Sequence, residues 1–100
     1  MFRFQRSGRT KNGKLLEGVR FAKEVAEYIN TKYGPGLIHV YTEAFGELNT
    51  IYWYADYENL ATIESINMQL LADQGYWAIV NKGTEWFIEG SFHDTLMSSV

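Results

Sequence analysis

The sequence predicts an α+β fold in the order strand, helix, strand, strand, helix, strand, and three observations predict it. Two long segments carry apolar residues at helical spacing, and others alternate apolar with polar residues as strands do. The central hairpin, read with Gly46-Glu47 as a two-residue turn between residues 37–45 and 48–57, sorts its side chains onto two chemically different faces. That register opposes Phe45 with Leu48, Glu43 with Thr50, Tyr41 with Tyr52 and His39 with Tyr54 on one face. The alternate pairs, Thr42 with Ile51, Val40 with Trp53 and Ile38 with Ala55, form an apolar face suited to cover by helices.

The first strand is residues 2–6, which place Phe2 and Phe4 on one face and Arg3 and Gln5 on the other. Residues 7–13 read as a polar loop. From Lys14 the period changes: Leu15, Val19, Ala22, Ala26, Ile29 and Tyr33 step by three or four and draw one stripe along a helix. Its other face carries Glu17, Arg20, Lys23, Glu24, Glu27 and Lys32, with opposite charges spaced for contact from Glu17 to Arg20 and from Arg20 to Glu24. Gly34-Pro35-Gly36 stops it, since glycine accepts a left-handed C-terminal conformation and proline disfavours helix in the residue before it.

After the hairpin, Asn59 is a candidate N-cap for a second helix with Leu60, Ile63, Ile66 or Asn67, Leu70 and Leu71 at its apolar positions, continuing to Ala72. Asp73-Gln74-Gly75 breaks or bends that helix. Residues 76–82 resume the helical pattern, and Gly83 is the expected C-cap. The last strand is expected at residues 86–93, with Phe87, Glu89, Ser91 and His93 on one side and Trp86, Ile88, Gly90 and Phe92 on the other. Residues 94–100 read as a weaker extension.

This is the split βαβ, or ferredoxin-like, order: a four-stranded antiparallel sheet with both helices on one face, reached through right-handed crossovers. The opposite sheet face is then bare. It is aromatic yet rich in hydroxyl, imidazole and carboxylate groups, a surface that binds a second subunit or a ligand. Pairing two such sheets across a twofold axis closes a barrel, so a homodimer is expected, with Tyr41 and Tyr52 in the interface.

Composition sets the bounds. One hundred residues, 46% hydrophobic and 16% aromatic, make one domain over residues 1–100, large enough for a core and small enough to gain from association. The net charge of −3 argues against nucleic acid as a partner. Arg3, Arg6, Arg9, Lys11 and Lys14 nevertheless cluster in the first strand and its loop, as a phosphate site or, more ordinarily, a solvated edge. Without cysteine there is no disulfide, thiolate nucleophile or sulfur-ligated metal. No stretch approaches the roughly 20 apolar residues of a membrane span, and Met1-Phe2-Arg3-Phe4 alternates instead of opening an apolar leader, so no membrane association and a cytoplasmic location are expected.

Three passages then take on a family likeness: GKLLEGVRFAKEVAEYINTKYG, the strand-to-helix run IYWYADYENLATIE, and the closing WFIEGSFHDTLM. Together they resemble an uncharacterised bacterial family of the dimeric α+β barrel superfamily, close to NIPSNAP-like proteins. The resemblance covers nearly the whole chain and implies the fold and the dimer. The superfamily's activities are diverse: cofactor-independent monooxygenases of polyketide quinones, haem-degrading enzymes, lactone isomerases and dehydratases. The Asn, Trp and His set of the haem-degrading members has no full counterpart here, so no catalytic residue is carried over.

From the residues themselves, His39, Tyr41, Tyr52 and Tyr54 share a face, joined by Arg3, Gln5 and Glu43 and by Glu89 and His93 from the last strand. Such a mixture can do acid–base work, because histidine titrates near neutrality and tyrosine can donate to a developing oxyanion. The candidate catalytic residues are therefore His39, His93, Tyr54 and Glu89. The same residue types also satisfy ordinary interface hydrogen bonds. No metal is expected: His39 and Glu43 lie roughly 13 Å apart along a strand, as do Glu89 and His93, too far for one ion.

Two functions stay open. One is a binding or structural homodimer whose aromatic sheet face is the interface. The other is a cofactor-independent enzyme, monooxygenase- or isomerase-like, with a pocket between helices and sheet walled by Tyr28, Trp53, Trp77 and Phe87 and holding a small aromatic or lipophilic substrate. A cavity of a few hundred cubic ångströms favours the second, and solid packing favours the first.

Overall fold

The computed structural model describes residues 1–34 and 37–100. Strands β1 (Phe2–Arg9), β2 (His39–Thr42), β3 (Thr50–Tyr57) and β4 (His93–Ser98) form one antiparallel sheet in the order β2-β3-β1-β4. Helices α1 (Leu15–Tyr33), α2 (Leu60–Leu71) and α3 (Gln74–Gly83) complete the ferredoxin-like arrangement. Of the expected stop at Gly34-Pro35-Gly36, Gly34 caps α1 and the other two residues lie outside the described ones.

The hairpin keeps the register read from the sequence: His39 opposes Tyr54, Val40 opposes Trp53, Tyr41 opposes Tyr52 and Thr42 opposes Ile51. Its turn is different. Pairing stops at Thr42, residues 43–49 form a longer loop, and Phe45 and Leu48 are exposed instead of paired. The loop's backbone finds other partners. The Glu47 amide donates to the Glu43 carboxylate at 3.3 Å, and the Asn49 carbonyl accepts from the amide of Thr10 at 2.8 Å and from its hydroxyl at 3.2 Å. Arg9 pairs with Glu47 across the same gap. Anchorage to the end of β1 thus replaces the last rungs of the ladder.

The helix-facing side of β3 carries the core. Ile51, Trp53, Ala55 and Tyr57 are buried, Ile51 and Trp53 in one cluster with Phe21, Ala22, Val25 and Ile29 of α1, and Ala55 and Tyr57 in a second with Ile63 of α2. Burying such a side chain contributes about 1.5–3 kcal/mol each. The Trp53 indole also donates to the Ala22 carbonyl at 3.1 Å, so this large ring brings its polar atom into the core with a partner. On α1, Asn30 accepts from the Ile38 amide at 2.6 Å and donates to its carbonyl at 3.0 Å, which fixes the entry to β2.

Asn59 caps α2, accepting from the Thr62 amide at 2.9 Å. The break at Asp73 is itself a cap: its carboxylate accepts from the Tyr76 amide at 3.1 Å and starts α3. Gly83 is the last residue of α3 instead of the C-cap, which is Thr84. Glycine is needed there for close approach, since a methyl group at Gly83 would overlap the Phe21 ring.

The last strand is displaced from residues 86–93 to His93–Ser98. Residues Thr84–Trp86 form a short 3-10 turn, Phe87 makes a single bridge to Thr10, and the chain reverses at Gly90, whose φ is +79°. Alternation misled because Phe87 and Phe92 pack on each other at 5.1 Å around a corner instead of along a strand. The true β4 is an edge strand, mostly exposed, and has no need of an alternating apolar pattern.

Candidate functional site

Strand alternation puts Phe2, Phe4 and Arg6 of β1 on the helix-facing side together with Trp53, Ala55 and Tyr57 of β3 and Asp94 of β4. Between this side and the helices lies a cavity of about 500 Å³. Phe4, Trp53 and Tyr57 supply its sheet side, and Phe21, Val25 and Ile29 its α1 wall. Ile66 and Leu70 of α2, with Trp77 and Val80 of α3, close it from the other side. The size and the aromatic walls are those of a small-molecule pocket.

One end is polar. Arg6 donates to both oxygens of Asp94, from Nε at 2.7 Å and from Nη2 at 2.8 Å. About four tenths of each side chain stays open, 41% and 45%, so the pair is available to the cavity. The Tyr76 hydroxyl lies beside the same guanidinium. The Arg6 hydrogen bonds hold the Asp94 carboxyl below its ordinary range, and Asp94 in turn raises Arg6, so both are charged at neutral pH.

Trp53 and Trp77 line the cavity as expected from the sequence. Tyr28 does not: its hydroxyl donates to Asp73 at 2.7 Å, in a cluster between α1 and α3. Phe87 is core, 3% exposed, with its ring 5.6 Å from that of Phe21. Among the expected catalytic residues, His93 and Tyr54 border the cavity, although the register turns their side chains to the opposite sheet face. His39 is exposed on that opposite face and stacks on Tyr54 at 5.1 Å. Three strand spacings, about 14 Å, separate the strand of His39 from that of His93, so the structure does not bring the two histidines together. Glu89 sits exposed in the turn before β4. Among the described residues, no three His, Asp or Glu side chains converge as a metal site requires.

The opposite sheet face is a polar and aromatic surface held by side-chain pairs. Arg3 donates to Asp56 at 2.8 and 3.0 Å and covers the Tyr54 ring at 4.3 Å. Tyr41 lies 5.3 Å from Tyr54, and Tyr52 donates to Glu43 at 2.6 Å. That bond to a carboxylate raises the Tyr52 phenol above its ordinary value, and Tyr41 does the same for Tyr54. Tyr41 is 56% exposed on this face.

Sequence reasoning placed Arg6 only in the basic cluster of the first strand and its loop, and overlooked Asp94 and Tyr76. A signal existed for Arg6: it shares the alternation of Phe2 and Phe4, so a cation stood on the apolar side of a central strand.

Residues 2–99 match the model of a Family of unknown function (DUF6039). No curated protein matches the chain. Among solved structures, an uncharacterised NIPSNAP domain protein from Burkholderia xenovorans is 18% identical with a TM-score of 0.79, over 100% of this chain and 95% of the other. A NIPSNAP family protein of unknown function from Agrobacterium tumefaciens is 18% identical with a TM-score of 0.81, over 100% of this chain and 88% of the other. An antibiotic biosynthesis monooxygenase is 12% identical with a TM-score of 0.71, over 100% of this chain and 99% of the other. At these identities the likeness is one of fold alone. No helix among the described residues is long and apolar enough to cross a membrane.

Proposed function

We propose that this chain, which belongs to the Family of unknown function (DUF6039), is a one-domain homodimeric α+β barrel protein that binds a small, largely aromatic molecule between its helices and its sheet. The observation that carries this reading is the cavity of about 500 Å³ with aromatic walls and a charged pair at one end. A solid core would have left the aromatic sheet face as the only candidate surface. The volume suits about two or three fused rings.

Dimerisation is read from the opposite face, where Tyr41, Tyr52, Tyr54 and His39 stand with no helix among the described residues to cover them. The binding test is calorimetric titration with bicyclic aromatic ketones and phenols. Saturable one-to-one binding that is lost in Leu70→Trp, which fills the cavity from α2, supports the proposal; heat independent of that substitution contradicts it.

The cavity also favours a second reading, a cofactor-independent enzyme acting on the bound molecule. Of the two histidines His93 is the nearer to the cavity, but its side chain and that of Tyr54 face the other side of the sheet. The group placed to act on a bound molecule is therefore the Tyr76 hydroxyl, which can donate to a developing oxyanion. Turnover of a bound phenol, followed by oxygen uptake or by product absorbance, should fall in Tyr76→Phe and persist in His93→Gln; unchanged turnover in Tyr76→Phe removes Tyr76 from the chemistry.

A further inference from the structure

We infer that the polar end of the cavity selects a neutral hydrogen-bond acceptor, a carbonyl on an aromatic ring system, and discriminates against a carboxylate on the same ring. This deepens the reading of the cavity as a ligand site and rests on it.

A guanidinium has five N–H groups, and Arg6 uses two of them, on Nε and Nη2, to bind both oxygens of Asp94. Of its other N–H groups, those not directed at the Tyr76 hydroxyl are left for a guest in the cavity. Asp94 is engaged on both oxygens, so the pair presents spare donors and an acceptor already in use. Tyr76 adds to this polarity. With its hydroxyl beside a cation, the oxygen turns toward the guanidinium and the proton is directed away from it, where it can be donated.

Charge decides which acceptor fits. Among the described residues, Arg6 and Asp94 are the only Arg, Lys, Asp or Glu residues lining the cavity, and they cancel one another. A carboxylate guest would meet the Arg6 cation and the Asp94 anion at similar range, and would surrender its hydration for no net attraction. A ketone oxygen gives up far less on leaving water and gains the same donors. The aromatic walls at Phe4, Trp53 and Trp77 supply the apolar contact for the rest of the molecule.

Three probes on one ring system test the inference: 1-acetylnaphthalene, 1-naphthoate and naphthalene, titrated calorimetrically at neutral pH into the intact protein. The ketone should bind about tenfold or more tighter than the carboxylate and also tighter than naphthalene. Asp94→Asn, confirmed as folded by its thermal melt, should raise the affinity for 1-naphthoate, because Arg6 then offers an uncompensated charge. Arg6→Met should bring the ketone down to the affinity of naphthalene. A carboxylate that binds the unaltered protein as tightly as the ketone, or a ketone no tighter than naphthalene, overturns the selectivity and leaves the cavity a ligand site. If none of the three binds, the reading of the cavity falls, and the inference with it.

Discussion

The Tyr33 hydroxyl, in the last turn of α1, donates at 2.6 Å to the carboxylate of Asp73, which caps α3. The same carboxylate accepts from the Tyr28 hydroxyl at 2.7 Å and from Lys32 at 2.9 Å, and its side chain is only 4% exposed. One residue thus ties the first helix to the third at the junction where the second ends, and it holds α3 at the border of the cavity. Asp73→Ala leaves two hydroxyls, an ammonium and the Tyr76 amide without their acceptor. Thermal denaturation followed by circular dichroism should show a fall in Tm of roughly 5–15 °C, and Tyr33→Phe a smaller fall.

Acid should act on the same cluster. Hydrogen bonds from Tyr33, Tyr28 and Lys32 hold the Asp73 carboxyl well below its ordinary value of 3.8. A carboxylate depressed in the folded state contributes stability that is complete above its unfolded pKa and is lost as pH falls toward the folded one. The stability difference between the unaltered protein and Asp73→Asn should therefore be constant from neutrality to about pH 5 and shrink below about pH 4. A difference that stays constant down to pH 2.5 contradicts the assignment.

Gly83 and Phe21 form a tight contact between α3 and α1. Gly83→Ala places a methyl group where the Phe21 ring lies, and the ring must move within a packed cluster that includes Trp53 and Phe87. Urea denaturation should show a loss of about 1–3 kcal/mol. Phe21→Leu in the same chain should recover part of that loss, a coupling measurable by a double-mutant cycle.

The open sheet face predicts association. Light scattering should give the mass of a dimer at micromolar concentration. Tyr52→Asp puts a second carboxylate beside Glu43, which Tyr52 contacts at 2.6 Å, and should weaken the dimer at least about tenfold. A monomer in the unaltered protein would remove the assigned role of Tyr41 and Tyr52.

Much of the fold was legible because the hairpin and α1 carry strong periodicity. Val40, Ile51, Trp53 and Ala55 alternate so strongly that the register follows even though the turn does not. The turn was missed because its bonds come from Glu43 and Thr10, and Thr10 is distant in sequence. β4 was misplaced because an exposed edge strand needs no apolar alternation, whereas Phe87 and Phe92 imitate one while packing at a corner. Trp53 and Trp77 were found as cavity walls because they sit on apolar faces of their elements. The Arg6–Asp94 pair was not found, since pairing β1 with the misplaced strand concealed the residue opposite Arg6.

The central claim is that the cavity between helices and sheet holds an aromatic molecule, and the three tryptophans report on it directly. Trp53 and Trp77 line the cavity, their indole N–H groups bonded to the carbonyls of Ala22 at 3.1 Å and Leu71 at 3.2 Å; Trp86 is not among the lining residues. Titration with 1-acetylnaphthalene, read from the three indole N–H resonances in proton–nitrogen correlation spectra, should shift those of Trp53 and Trp77 saturably and leave that of Trp86 nearly in place. Equal shifts in all three, or no shift at Trp53 and Trp77 at saturating probe, would contradict it.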